Sequence, residues 1–299
     1  MSKHITQTLR LPVAVATLLF VASYAANCGT PGHAPVSLTA SADHDMLAVP
    51  TPTPGTEPAT MPVSDGRSAT AAGFTLRLAQ RSTAPGTATS LRFQITDGYG
   101  TAVTRFAVDQ TEMMHFYVVR SDLTGFQHLH PEMAPDGTWS VTLPPLEPGT
   151  WRAYTSFIAD QGGEQTAVVL GDTITVPGEA VTHRLPAPAR STTVDGYTIT
   201  VRGDLRARMS SELTATVTRG GIPVTDLEPY LQTYAHVTAF REGDLAFAHL
   251  HPHGDATGGH GGPHLNFDTM FPRSGNWRLY VQFQTHGTLH AAAITLRVG

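Results

Sequence analysis

HFYVVRSDLTGFQHLHP at residues 115–131 and HVTAFREGDLAFAHLHP at residues 236–252 are two copies of one pattern. In each copy a leading histidine stands thirteen residues before the first histidine of a His-Leu-His-Pro close. The pattern therefore supplies His115, His128 and His130 once, and His236, His249 and His251 again. Residues two apart on a strand share a face, so His128 and His130 project together, as do His249 and His251. A hairpin turning around Ser121 to Gly125, centred near residue 122 or 123, sets His115 across from His130. The same register about 243–244 sets His236 opposite His251. Three imidazoles within reach of one point is a geometry that zinc or copper uses.

Outward from these hairpins the chain reads as short strands. Runs at 74–79, 90–96, 102–107, 113–120, 125–130, 138–143, 150–158 and 166–176 are separated by Gly, Pro, Asp or Asn. A second set follows at 197–201, 212–218, 233–240, 245–251, 265–271, 276–284 and 289–298. Apolar and polar residues alternate in LRFQI at 91–95 and in WSVTL at 139–143, and no stretch keeps a long 3.6-residue period. The reading is all-β. PGTWRAY at 148–154 answers SGNWRLY at 274–280, and Phe157 and Phe283 each stand six residues past the tryptophan. So many matched residue types mark an internal duplication, each half long enough for one β-sandwich core. The expected domains are a first sandwich over 71–179, a linker over 180–195, and a second sandwich over 196–299 that carries a His/Gly-rich loop. Trp151 and Trp277 are expected to pack the two cores.

The N-terminal part is read as export machinery. Lys3 and Arg10 precede the apolar run LPVAVATLLFVASYAA at 11–26, which is too short for a bilayer span and fits a signal peptide over 1–28. Cys28, the sole cysteine, stands where a bacterial lipoprotein carries its lipidation site, so a lipid anchor at the membrane surface is expected, with plain secretion as the other reading. Residues 29–70, rich in Pro, Thr and Ala, read as a disordered tether. The mature chain is thereby placed outside the cytoplasm. Beyond Cys28 there are seventeen arginines and no lysine against 24 acidic residues, with no arginine cluster, which argues against a nucleic-acid partner.

Further groups extend the histidine constellation. Nine residues after each tryptophan come Asp160 and His286, and four further on Glu164 and His290, so the first half is expected to have a carboxylate-supplemented site and the second an all-imidazole one. His253 continues the alternation of His249 and His251 into a glycine-rich loop with His260 and His264, which either folds over the site or stands as a solvated tip. Met113, Met114 and Met133 either offer thioethers to Cu(I) or pack. A histidine at a strand end also serves as a plain hydrogen-bonding residue, and duplication copies such a residue too. The sequence contains no G-x-S-x-G, H-E-x-x-H or phosphate loop, and no thiol in the folded part.

The pattern of a leading histidine, F-x-H-L-H-P and then P-G-x-W-R-x-Y resembles small extracytoplasmic β-sandwich domains, the YtkA-like group and secreted actinobacterial heavy-metal-associated proteins. The resemblance covers about 74–176 and 196–298. It implies an immunoglobulin-like or cupredoxin-like sandwich and carries the histidine signature onto His115, His128 and His130, and onto His236, His249 and His251. A cupredoxin electron-transfer site does not follow, because it needs a cysteine thiolate. The expected function is metal binding, copper or zinc, for storage, buffering or delivery. The alternative is a non-metal interaction module with an envelope protein partner.

Overall fold

Alternating burial and turn chemistry place strands where the sequence puts them. The computed structural model describes residues 61–299, which fall in one compact unit; the signal peptide, Cys28 and the tether up to residue 60 lie outside the described residues. No α-helix occurs among them. In the first repeat β1 (Phe74–Leu78), β2 (Thr89–Thr96) and β5 (Thr138–Leu143) form one sheet, edged by two-residue pieces. The facing sheet is ordered β7 (Glu164–Val176), β6 (Gly149–Gln161), β3 (His115–Arg120), β4 (Phe126–Leu129). The second repeat supplies β8 (Ser191–Val194), β9 (Tyr197–Arg202), β10 (Ser211–Arg219), β11 (His236–Arg241), β12 (Phe247–Pro252), β13 (His264–Thr269), β14 (Gly275–Thr285) and β15 (Thr288–Val298). Here β12 pairs with both β11 and β13, so the two sheets are continuous through that strand. The protein is all-β, with two repeated sandwich domains.

The cores follow the alternation. Phe93, Ile95, Phe116, Val118, Trp139 and Trp151 pack inside the first sandwich, and Ile199, Val201, Leu213, Phe267 and Trp277 inside the second. Each repeat's equivalent tryptophan donates its indole N–H to the carbonyl four residues back, Trp151 to Glu147 and Trp277 to Arg273. The duplicated sequence thus reproduces a duplicated hydrogen bond.

Strands β3 and β11 do not alternate. Phe116 and Val118 face their own core, yet Tyr117 and Val119 on the outer face are equally buried. A strand apolar on both faces must be covered on both. The cover is the other repeat. The outer faces of the sheets carrying β3 and β11 meet in a third apolar cluster containing Tyr117, Tyr154, Phe240, Phe247 and Tyr280. Phe126 stacks on Tyr280 with ring centroids 4.1 Å apart, and its counterpart Phe247 lies 5.8 Å from Tyr154, the counterpart of Tyr280. Tyr154 donates its hydroxyl to the Leu245 carbonyl at 2.5 Å, and Tyr280 donates to the Leu123 carbonyl at 2.8 Å. Leu123 and Leu245 occupy equivalent turns, both with positive φ (61° and 56°), a conformation that costs a non-glycine residue and points these carbonyls at the facing repeat. The contacts are reciprocal, as in a two-fold dimer fused into one chain.

Three boundary expectations change. The run 102–107 shortens to a pair at Phe106–Ala107 bonded to β6, because Thr101 to Val103 are taken by the turn after β2. The linker over 180–195 includes β8, which pairs with β9, and is pinned further by Arg120 on the Val181 carbonyl and by Asp122 on the His183 amide. The last ten residues assigned to the tether form a strap. The Val63 amide bonds the Ala167 carbonyl, Arg152 donates to the Gly66 carbonyl, and the Asp65 carbonyl accepts the Phe247 amide from the other repeat. Polar main chain with these partners docks at no net loss of hydrogen bonds, although its side chains offer little to bury.

Candidate metal centre

The hairpin registers are those the sequence predicts. Phe116 faces Leu129 and Val237 faces Leu250, so one step further His115 stands opposite His130 and His236 opposite His251. All six imidazoles lie on the outer faces of their sheets, and face-to-face packing merges them into one seam. His128 and His236, from different repeats, have ring centroids 4.7 Å apart; His115 and His236 are at 5.6 Å, and His236 and His249 at 4.8 Å. The two histidine sets, expected one per half, thus adjoin in one seam between the halves.

Within it His115, His128 and His130 each present a ring nitrogen within 4.8 Å of the others. His115 Nε2 is 3.0 Å from the Asp109 carbonyl, which only accepts, so Nε2 carries the proton and Nδ1 is bare. That Nδ1 lies 3.0 Å from His128 Nε2. On its other side, His128 Nδ1 meets Gln282 Oε1 of the second repeat at 2.8 Å. With Oε1 accepting from Nδ1, His128 Nε2 is bare too, and two lone pairs face each other. Nitrogens bound to one zinc or copper at ~2.0–2.1 Å in tetrahedral array sit about 3.3 Å apart, close to this spacing. With the Gln282 amide turned, its N–H donates to His128, His128 donates to His115, and a closed neutral relay results. His130 Nε2 is buried without a partner, and its Nδ1 stands 3.9 Å from Glu112. Asp109 and Glu112 bracket a tight turn whose tip, Gln110-Thr111, has positive φ at both residues.

His236 holds the place of His115 in the second repeat but is closed off. Its Nδ1 donates to Gln110 Oε1 at 2.7 Å, and its Nε2 accepts from the Tyr117 hydroxyl at 3.1 Å. By contrast, His249 Nε2 and His251 Nε2 are buried with no partner. Burial, which penalises the imidazolium, holds all six rings below the ordinary histidine pKa: His128, His236 and His249 well below, His130 at about 4, with neighbouring rings adding to the effect at these four. His115 and His251 are lowered by the same burial, partly offset by Asp109. The seam is neutral at pH 7, the state in which imidazole ligates.

Five expected members are elsewhere. Asp160 and His286 lie four residues beyond the strand positions facing His115 and His236, roughly 13 Å along the strand. Asp160 is bound to Arg105, and His286 stands 3.7 Å from Asp226 on the surface. His290 is paired with Phe283, whose side chain faces the core, so it points to the opposite side of the sheet from the seam; it bonds Asp195 and Thr285. His253 follows the end of β12 and pairs at the surface with Asp268 at 2.8 Å. Glu164 is exposed at the start of β7. The glycine-rich loop does not stand free, because Gly258 and Gly261 are anchored on Tyr234 and Leu227. Met114 and Met133 pack against the first core, and Met113 is exposed. Gln282, Gln110, Tyr117 and Asp109 are the members that sequence reasoning missed. Their one signal is the doubly apolar pattern of HFYVVR and HVTAFR, which announces a covered outer face.

Fold and site together define a tandem β-sandwich protein with an imidazole-lined seam between its repeats. The chain belongs to the family described as domain of unknown function DUF8832, whose model matches residues 69–173 and again 192–299. No curated protein matches it. Among solved structures, the Escherichia coli adhesin FdeC is 18% identical, covering 79% of this chain and 65% of its own, at a TM-score of 0.23. InvD of Yersinia pseudotuberculosis is 15% identical over 76% of this chain and 57% of its own, at 0.25. Domains 4 and 5 of the S-layer protein SbsC are 13% identical over 75% and 96%, at 0.21. This chain spans less than two thirds of the first two.

Proposed function

We propose that this protein binds a copper or zinc ion outside the cytoplasm, for storage, buffering or delivery, with His115, His128 and His130 as ligands. The observation that carries this reading is the arrangement of nitrogens. His115 Nδ1 and His128 Nε2 face each other at 3.0 Å while their outer nitrogens are held by Asp109 and Gln282, and His130 Nε2 is buried beside them without a partner. Outer partners that fix the tautomer and orient the ring are the usual support of histidine ligands. The resemblance to heavy-metal-associated domains and the export-signal reading of residues 1–28 agree with it. The test is zinc and copper titration by calorimetry with elemental analysis. Loss of a bound ion in His128→Ala/His130→Ala, with the fold intact, is the expected result; unchanged stoichiometry removes the assignment.

A second reading, an envelope interaction module, draws on the architecture: tandem sandwiches following a Pro/Thr/Ala-rich segment, with a lipid anchor at Cys28 as their attachment. It predicts an envelope protein partner and no change in any activity when the seam histidines are replaced.

A further inference from the structure

The second repeat keeps two imidazoles whose Nε2 atoms have no hydrogen-bond partner. His249 and His251 lie two residues apart on one face of β12, their ring centroids 5.0 Å apart and planes inclined by 45°. The Nε2 of each is buried with no hydrogen-bond partner, and His249 is 5% exposed. Buried nitrogens without a partner are uncommon in folded proteins, and an ion is one of the few things that accounts for them. The third position of this half is unavailable, because Tyr117 and Gln110 occupy both nitrogens of His236. Two neutral imidazoles alone are a poor cage for zinc, which takes four ligands, but a sufficient one for a soft monovalent d¹⁰ ion. Beside His249 lies a cavity of about 560 Å³ whose wall includes Phe247, Met61 and Met270 together with the charged Asp65 and Arg208. Both methionines are more than a third exposed, and a thioether is a ligand type that suits such an ion.

We propose that His249 and His251 form a second site, for a soft monovalent cation of the Cu(I) class, reached through the cavity that Met61 and Met270 line. The inference rests on the reading of the seam as metal-binding and adds a second ion of different chemistry. It is tested on the full chain with Ag(I) as the redox-inert probe and zinc as the control. His249→Gln/His251→Gln is expected to lose one equivalent of Ag(I) and keep its zinc. Met61→Leu/Met270→Leu, on the cavity wall, is expected to weaken Ag(I) binding at least tenfold and leave zinc unchanged. If Ag(I) uptake survives both variants while His128→Ala/His130→Ala still removes zinc, the second site is refuted and the first stands. If His249→Gln/His251→Gln removes zinc as well, the seam is one shared site and this inference falls. If wild type binds neither ion, the reading of the seam falls with it.

Discussion

Acidification is the sharpest test of the seam. His115, His128, His236, His249 and His251 are deeply or largely buried and have folded-state pKa values below the unfolded value of about 6.5. The unfolded chain therefore takes up protons first as pH falls, and stability present above pH 6.5 is lost below it. Each such ring removes up to about 1.4 kcal/mol per pH unit until its own folded pKa is reached. One unit below 6.5, the three rings held well below it, His128, His236 and His249, together cost up to about 4 kcal/mol, a large part of the stability of an ordinary domain, about 5–15 kcal/mol, and His115 and His251 act in the same direction. His130, at about 4 but partly open to water, adds less. Urea unfolding of chelator-treated protein at pH 7.5 and 5.5 reads this directly. With a slope of about 3 kcal/mol per molar, the midpoint should drop by about 1 M. Small-angle scattering at pH 5.5 should show the repeats separating before either sandwich melts, because the charged groups lie between them. A midpoint that does not move between these pH values would show that the imidazoles are not held neutral, and the burial argument would be wrong.

Tyr280→Phe strands the buried Leu123 carbonyl and Tyr154→Phe the Leu245 carbonyl; each should cost about 1–3 kcal/mol by urea titration, since the partner is left unsatisfied. Gln282→Leu removes the group that faces His128 across the repeat interface; zinc affinity measured by competition should fall about 10- to 100-fold with little change in the circular dichroism spectrum. Trp277→Ala empties a fully buried site in the second core and should destabilise by about 3–5 kcal/mol, without altering metal stoichiometry in the fraction that folds.

Local signals carried the reading of the elements. Two-residue alternation, turn residues between short apolar runs, and the repeated tryptophan strand located the sandwiches, because strand propensity and hairpin register depend on near neighbours. The same locality placed His115 opposite His130 and His236 opposite His251, since the interval from leading histidine to the His-Leu-His close sets the hairpin centre. It misled at His286, His290 and Asp160, where distance from the tryptophan was read without strand length and facing, and at residues 61–70, whose low apolar content hid a strap held by main-chain bonds.

The β-class, the duplication and two histidine hairpins of equal register are thus properties of the linear chain. Only folding brings the hairpins into one buried seam. There Gln282 of one repeat holds His128 of the other, and Tyr117 and Gln110 close His236, so two equal sequence motifs become unequal sites. The reason is physical. These contacts join residues more than a hundred positions apart, and they form only when two outer faces, apolar for no reason visible within either hairpin, leave water by covering each other.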